Sequence, residues 1–218
     1  MNKKIITSLF IATALITGCA EEYPGTELAV SFPAIELQGD EFVTVMQGSA
    51  FEDAGATATF GSTDVSSEIE VESDVDEDVP GLYTVTYSIA QTNEINEESV
   101  RTTRRLVAVV SADAAAADLS GSYHRASNGR ISTVSKLAPG FYFMTDCWGT
   151  ATSAGAPLAV NTYLVNTTGT SLVFRYDVAG APFGGNQGTG TVMPNGDLSL
   201  TVTLIGAAAT RTNVWIND

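Results

Sequence analysis

Apolar and polar positions alternate in short runs over residues 32–110. Phe42-Val43-Thr44-Val45-Met46, Ala56-Thr57-Ala58-Thr59-Phe60 and Ile69-Glu70-Val71 are three of them, and residues 82–89 and 104–110 give two stronger ones. A period of two places successive side chains on opposite faces of a strand, so each run predicts a β-strand. Turn formers separate the runs: Gly39-Asp40, Asp53-Ala54-Gly55, Pro80-Gly81 and Thr92-Asn93. Several short strands at such close spacing predict a sandwich. Strand candidates continue at 121–127, 131–137, 141–145, 162–166, 171–176, 189–193, 198–205 and 210–216. Asn128-Gly129 and Asn195-Gly196 between them are hairpin signals. No helix-length apolar period occurs. The expected fold class is therefore all-β: a sandwich, then a roughly eight-stranded antiparallel meander that forms a barrel or a two-layer sheet.

Charge divides the chain at the same place. The 218 residues carry 25 Asp+Glu against 10 Lys+Arg, a net charge of −15. Residues 19–113 hold 20 acids and three bases, whereas residues 114–218 hold five of each. The break predicts two domains. Between them, Ser111-Ala112-Asp113-Ala114-Ala115-Ala116-Ala117 reads as a short hinge, because so short a helix is marginal in water by itself. The negative balance argues against nucleic acid, which needs a basic face. One His and two Cys exclude most Cys/His zinc frameworks and any disulfide-dense scaffold.

Lys3 and Lys4 precede an apolar stretch over 5–16, then Thr17, Gly18 and Cys19. This has the architecture of a secretory signal and is too short for a stable transmembrane anchor. Ile16-Thr17-Gly18-Cys19 resembles a bacterial lipobox, which implies cleavage before Cys19 and diacylation of its thiol; the alternative is an ordinary signal peptide with a chance Cys. Two acyl chains give stable membrane anchoring. Ala20-Glu21-Glu22 is similar to the surface-export signal of Bacteroidota lipoproteins, which implies an outer-membrane, cell-surface location. The organisation is then a signal peptide at 1–18, a tether at 19–31, the first β domain at 32–110, a linker at 111–117 and the second β domain at 118–218. With Cys19 lipidated, Cys147 has no partner and is expected to be buried and inert. As a nucleophile it would need a base, and His124 is the one His of the chain.

Three motifs of the first domain carry a resemblance. They are Pro33-x-Ile35-x-Leu37; Gln47-Gly48-x-x-Phe51-Glu52-Asp53-x-Gly55-Ala56-x-Ala58; and Val79-Pro80-Gly81-x-Tyr83-Thr84-Val85-Thr86-Tyr87. In this order and spacing the segment resembles the bacterial surface-protein Ig-like domain, found also in pesticidal crystal proteins. The resemblance implies a spacing and presenting role and brings no catalytic residues. One departure is visible: the turn that usually contains a Gly reads Gln91-Thr92-Asn93-Glu94-Ile95-Asn96-Glu97-Glu98.

The second domain, through Leu119-Ser120-Gly121-x-Tyr123-x-Arg125, Val134-x-Lys136-Leu137-Ala138-Pro139-Gly140-x-Tyr142, Gly188-x-Gly190 and Asn195-Gly196-Asp197, resembles a C-terminal domain of unknown function in Bacteroidota surface lipoproteins. Such lipoproteins often accompany TonB-dependent glycan-uptake systems. The resemblance thus implies glycan handling and a transporter-complex partner, and it names no binding residue.

Candidate chemistry is sparse. Asp74, Asp76 and Asp78 alternate on one strand face and offer oxygens for Ca²⁺, although no EF-hand loop is present and a solvated charged edge is the simpler reading. Sugar rings stack on exposed aromatic rings flanked by a few polar groups. Trp148, in a loop after a strand, and Tyr142 lead as ligand contacts, with Asp146 and Asn161 as hydrogen-bonding partners. Phe183 sits at the tip of the Gly-rich loop 179–188 as a binding rim. Trp215 lies in the last strand and reads as core. No GxSxG occurs, and the second domain's acids are too scattered for a glycosidase pair, so no enzyme is expected. The leading expectation is a lipid-anchored, non-catalytic surface protein that binds glycan. The alternative is a structural lipoprotein that assembles with a surface complex and binds no sugar.

Overall fold

The strand pattern is realised closely. The computed structural model describes residues 30–150 and 159–218, and the lipobox Cys19 and most of the tether lie outside them. In the first domain β1 (Pro33–Leu37), β3 (Ala56–Phe60) and β4 (Thr63–Asp64) form one sheet in the order β1-β3-β4. The second sheet contains β2 (Phe42–Met46), β5 (Glu70–Ser73), β6 (Gly81–Thr92) and β7 (Glu98–Val110) in the order β2-β7-β6-β5. The β2–β7 pair is parallel and the rest are antiparallel. Val45, Val85, Tyr87, Val107 and Val109 fill the space between the sheets.

The Gly-free turn between β6 and β7 is built by asparagine. Asn93 Oδ1 accepts the backbone N–H groups of Ile95 (3.1 Å) and Glu97 (2.9 Å), and Asn96 takes the left-handed conformation at φ 59°. A short polar side chain that closes a local ring tolerates this region best after glycine.

The second domain is a closed barrel. Its strands are β8 (Gly121–Arg125), β9 (Ile131–Ala138), β10 (Phe141–Met144), β11 (Thr162–Asn166), β12 (Ser171–Tyr176), β13 (Asn186–Val192), β14 (Leu198–Leu204) and β15 (Ala209–Asn217). Each pairs antiparallel with the next, and β15 returns to β8 through Trp215↔Arg125 and Asn217↔Tyr123. The open choice between barrel and two-layer sheet is thereby decided. Tyr123, Tyr142, Met144, Leu164, Leu172, Phe174, Leu198, Leu200 and Trp215 pack the interior, so it is a core and not a ligand cavity.

The two domains share a third cluster, and Ser31–Asp218 is one compact unit. Residues 106–110 of β7 are buried on both faces. Val107 and Val109 face the sandwich, whereas Leu106, Ala108 and Val110 pack with Phe141 and Val165 on the outside of the barrel. Phe42 meets Phe141 edge-on at 5.7 Å and Tyr163 at 5.4 Å, and Thr44 Oγ1 donates to Pro139 O at 2.7 Å. The segment expected to be a hinge is a helical turn, α1 (Ala112–Ala116), capped by Ser111 Oγ on Ala114 N–H. Ala114 is buried in the same cluster. Tertiary packing supplies what an isolated turn lacks.

Candidate functional site

Two places on the barrel concentrate polar chemistry. The first is one mouth, where β8, β10, β12 and β14 end and β9, β11, β13 and β15 begin. Residues 145–150 and 159–161, the described parts of the β10–β11 connection, are tied into this mouth. Asp146 Oδ1 accepts the backbone N–H groups of Trp148 (3.1 Å), Gly149 (2.9 Å) and Val160 (3.3 Å), and Arg130 Nε donates to Oδ2 at 3.0 Å. Asn213 Nδ2 donates to the carbonyls of Cys147 (3.0 Å) and Trp148 (3.1 Å). Cys147 is buried, and burial, helped by the Asp146 charge, pushes its thiol far above the usual range. The expectation of an inert cysteine holds.

Two arginines enter this mouth from the barrel wall. Arg211, Asn213 and Trp215 share the inner face of β15, and Arg125 of β8 stands opposite Trp215. Arg125 Nη1 donates to Gly149 O at 2.7 Å. Arg211 Nη2 donates to Trp148 O, and its guanidinium lies 4.0 Å over the Trp148 ring. Burial, then the neighbouring Arg125 charge, lowers the Arg211 pKa. Gly149 allows this packing: its φ is +63°, and a Cβ there would stand 2.6 Å from Arg125 Cδ and 3.0 Å from the Trp215 ring.

The second place is a groove on the barrel's side, of about 740 Å³, between the outer face of β5–β7 and the end of β12. Glu41, Glu72, Thr86, Thr102 and Arg104 line one wall; Arg175 and Asp177 line the other. Arg104 Nη1 reaches Asp177 Oδ1 at 2.6 Å, and Arg175 Nε reaches Oδ2 at 2.7 Å. Burial raises the Asp177 pKa, but the hydrogen bonds from Arg104 and Arg175 outweigh it and leave the carboxyl below the usual range. A half-buried aromatic row ends at Tyr176, the residue between the groove-lining Arg175 and Asp177. Tyr163 lies 5.7 Å from Phe143 and 5.3 Å from Tyr176, and Phe143 lies 6.4 Å from Tyr176. Burial first, then the Glu41 and Tyr176 charges, raise the Tyr163 pKa.

The sequence candidates divide accordingly. Tyr142 is 0% exposed and its hydroxyl donates to Ala117 O at 2.8 Å, so it is an interior residue and not a ligand platform. Asp146 is also buried and spends its oxygens on Arg130 and on the backbone of Trp148, Gly149 and Val160. Trp148 is half-buried, with Arg211 over its ring, rather than an open shelf. Asn161 sits at the same mouth, where its carbonyl accepts from Asn186 Nδ2 at 2.7 Å. Phe183 is 43% exposed on a tight turn at that mouth, at φ 57°, with Gly206 N–H on its carbonyl. Trp215 is core, as expected. Asp74 Oδ1 accepts from Thr84 N–H and Asp76 Oδ1 from Asp78 N–H; among the described residues no group of three or more His, Cys, Asp or Glu is placed to hold a metal ion. His124 pairs with Asp218. Sequence reasoning missed Arg125, Arg211 and the Tyr163–Tyr176 row. For Arg211 a signal existed: it lies at even spacing from Trp215, already read as core, and so shares its face.

Comparison with known proteins fits the first domain. Residues 35–109 match the family model of the bacterial surface protein Ig-like domain. No curated protein matches the chain. Among solved structures, the lipoprotein BT2262 from Bacteroides thetaiotaomicron is similar at 20% identity and a TM-score of 0.36, covering 86% of this chain and 100% of its own. Two structures of Clostridium perfringens ZmpB are also similar. One holds the M60 catalytic domain with the CBM51-1 and CBM51-2 domains, at 13% identity and a TM-score of 0.31. It covers 86% of this chain and 23% of its own. The other holds CBM51-2 in complex with GlcNAc together with INT domains, at 14% identity and a TM-score of 0.29. It covers 85% of this chain and 44% of its own.

Proposed function

We propose that the chain is a non-catalytic surface lipoprotein, anchored in the outer membrane through diacylated Cys19, that binds saccharide in the side groove as an accessory of a TonB-dependent uptake system. The observation that carries the binding reading is the groove itself. Its volume of about 740 Å³ suits an oligosaccharide, its walls present threonine hydroxyls, carboxylates and guanidinium groups, and the Phe143–Tyr163–Tyr176 row ends between its lining residues Arg175 and Asp177. Ligand sites combine such apolar platforms with a few oriented polar groups. In this reading the Ig-like domain does more than space the barrel from the membrane, because its β6 and β7 supply half of the groove.

The test is affinity electrophoresis of the full chain, kept in mild detergent, through gels containing plant, host or microbial polysaccharides. Retardation by at least one polymer is expected, lost in Tyr176→Ala and retained in Trp148→Ala. The opposite pattern moves the site to the barrel mouth. Absence of retardation across the panel would sink glycan binding and leave the structural, protein-assembling role.

A further inference from the structure

We propose that the barrel mouth is an anion site, in which Arg125 and Arg211 together hold a small oxyanion: a carboxylate, sulfate or phosphate. The site is independent of the side groove. Both guanidinium groups point inward, half-buried, at the end of a packed barrel, and among the described residues neither has a carboxylate within ion-pair distance. Asp146, the acid at this mouth, is already bound to Arg130. Residues 151–158, Ala-Thr-Ser-Ala-Gly-Ala-Pro-Leu, contain no acid.

The hydrogen bonding is incomplete in the same place. Six buried side-chain polar atoms of the described residues lack a partner, and four of them gather here: Nε of Arg125, Nε of Arg211, Oδ1 of Asn213 and Nε1 of Trp215. Three of the four are N–H donors. Asn213 and Trp215 are 2% and 0% exposed. Buried donors and unpaired charges cost free energy unless a partner is supplied, and an oxyanion supplies both acceptors and charge.

The same chain shows how it satisfies an interior arginine when no ligand is involved. Arg105 in the Ig-like domain is 1% exposed, and every nitrogen has a partner. Nε donates to Asp40 O at 2.9 Å; Nη1 donates to the Asp53 carboxylate and to Tyr87 Oη at 2.7 Å; Nη2 donates to Gln38 O and Gly55 O. At the mouth, backbone carbonyls play the part of Gln38 O and Gly55 O, but no carboxylate of the described residues stands in ion-pair contact as Asp53 does, and the Asp146 charge acts on Arg211 only from farther off. Arginine's planar fork suits a bidentate oxyanion in that place.

The experiment uses the full chain in detergent at constant ionic strength, titrated with sulfate, phosphate, galacturonate or neutral galactose. The readouts are calorimetry and the indole N–H resonances of the two tryptophans. Saturable binding of an anion is expected, with a shift of the Trp215 indole signal and no response to galactose. Arg125→Gln and Arg211→Gln should each weaken it about tenfold or more, whereas Arg101→Gln, a change to an exposed arginine of β7, should not. Tighter binding of galacturonate than of sulfate and phosphate identifies an acidic saccharide as the source; the reverse order identifies a free inorganic anion. No saturable anion binding overturns the proposal, as does binding that survives both substitutions. If the glutamine variants fail to fold, the wild-type indole signal decides: an unmoved Trp215 resonance overturns it.

Discussion

The two domains hold interior arginines in different ways. In the Ig-like sandwich Arg105 is enclosed by a carboxylate, a tyrosine hydroxyl and three carbonyls of the β1–β2 and β2–β3 connections. In the barrel Arg125 and Arg211 are stapled to the carbonyls of Gly149 and Trp148, and neither has a carboxylate of the described residues within ion-pair distance. The first arrangement is closed and structural: it locks Asp53 of the β2–β3 connection to the second sheet. The second is open to a further partner. Burial of a cation therefore does not by itself identify a site; the identity of its neighbours does.

Removing the central cation separates the two cases most sharply. Arg105→Met takes the cation from the Asp53 carboxylate, leaving it to Tyr87 Oη and Gly55 N–H, and takes the donor from the carbonyls of Gln38 and Asp40, and urea denaturation should show a loss of about 3–5 kcal/mol. Phe42→Ala tests whether the domains act as one unit. It removes the ring wedged against Phe141 and Tyr163 and should cost about 2–3 kcal/mol, below the range for a fully buried Phe because Phe42 is only partly buried. Calorimetry should then resolve two transitions where the wild type gives one. Arg211→Gln should cost only about 1 kcal/mol in the absence of anions, since one hydrogen bond and a stacked cation are lost while charge repulsion is relieved. A cost as large as that of Arg105→Met would erase the contrast.

The smallest expected effect concerns pH. Asp177 is ionised in its latch to Arg104 and its folded pKa is lowered, so its contribution is complete above the unfolded carboxylate value near 3.9 and is lost as pH falls through the folded pKa. The pair is partly exposed, so Asp177→Asn should cost under about 1 kcal/mol at neutral pH. It should also remove this portion of the acid sensitivity in a thermal-melt series from pH 6 to pH 2.

Strand positions were legible because alternation and turn residues act locally: all eight barrel strands lie within a few residues of where hydrophobic period and Asn-Gly or Pro-Gly turns put them. Burial on two sides was not read, although its trace is present. Leu106-Val107-Ala108-Val109-Val110 is a continuous apolar run, the pattern of a strand covered on both faces, and the barrel is its second cover. Tyr142 failed as a ligand candidate for a related reason. Alternation puts it opposite Phe141 and Phe143, and only long-range closure of the barrel shows that its face is the interior. The aromatic row and the groove were illegible for the same cause: Phe143, Tyr163 and Tyr176 come from three strands, and the groove's Glu41 and Arg104 come from the other domain.

The pairing of β15 with β8 sets a timetable. A barrel whose first strand is zipped by β15 cannot close until residues 215–217 have been synthesised, and long-range pairing of this kind is slow. The sandwich, whose last strand ends at Val110, can assemble earlier, but the side of β7 bearing Leu106, Ala108 and Val110 then faces water until the barrel arrives to cover it. During synthesis the chain passes through an interval in which a half-covered apolar strand is exposed. The span of that interval is set by the roughly hundred residues from Ser111 to β15, and that interval is where a chaperone has something to hold.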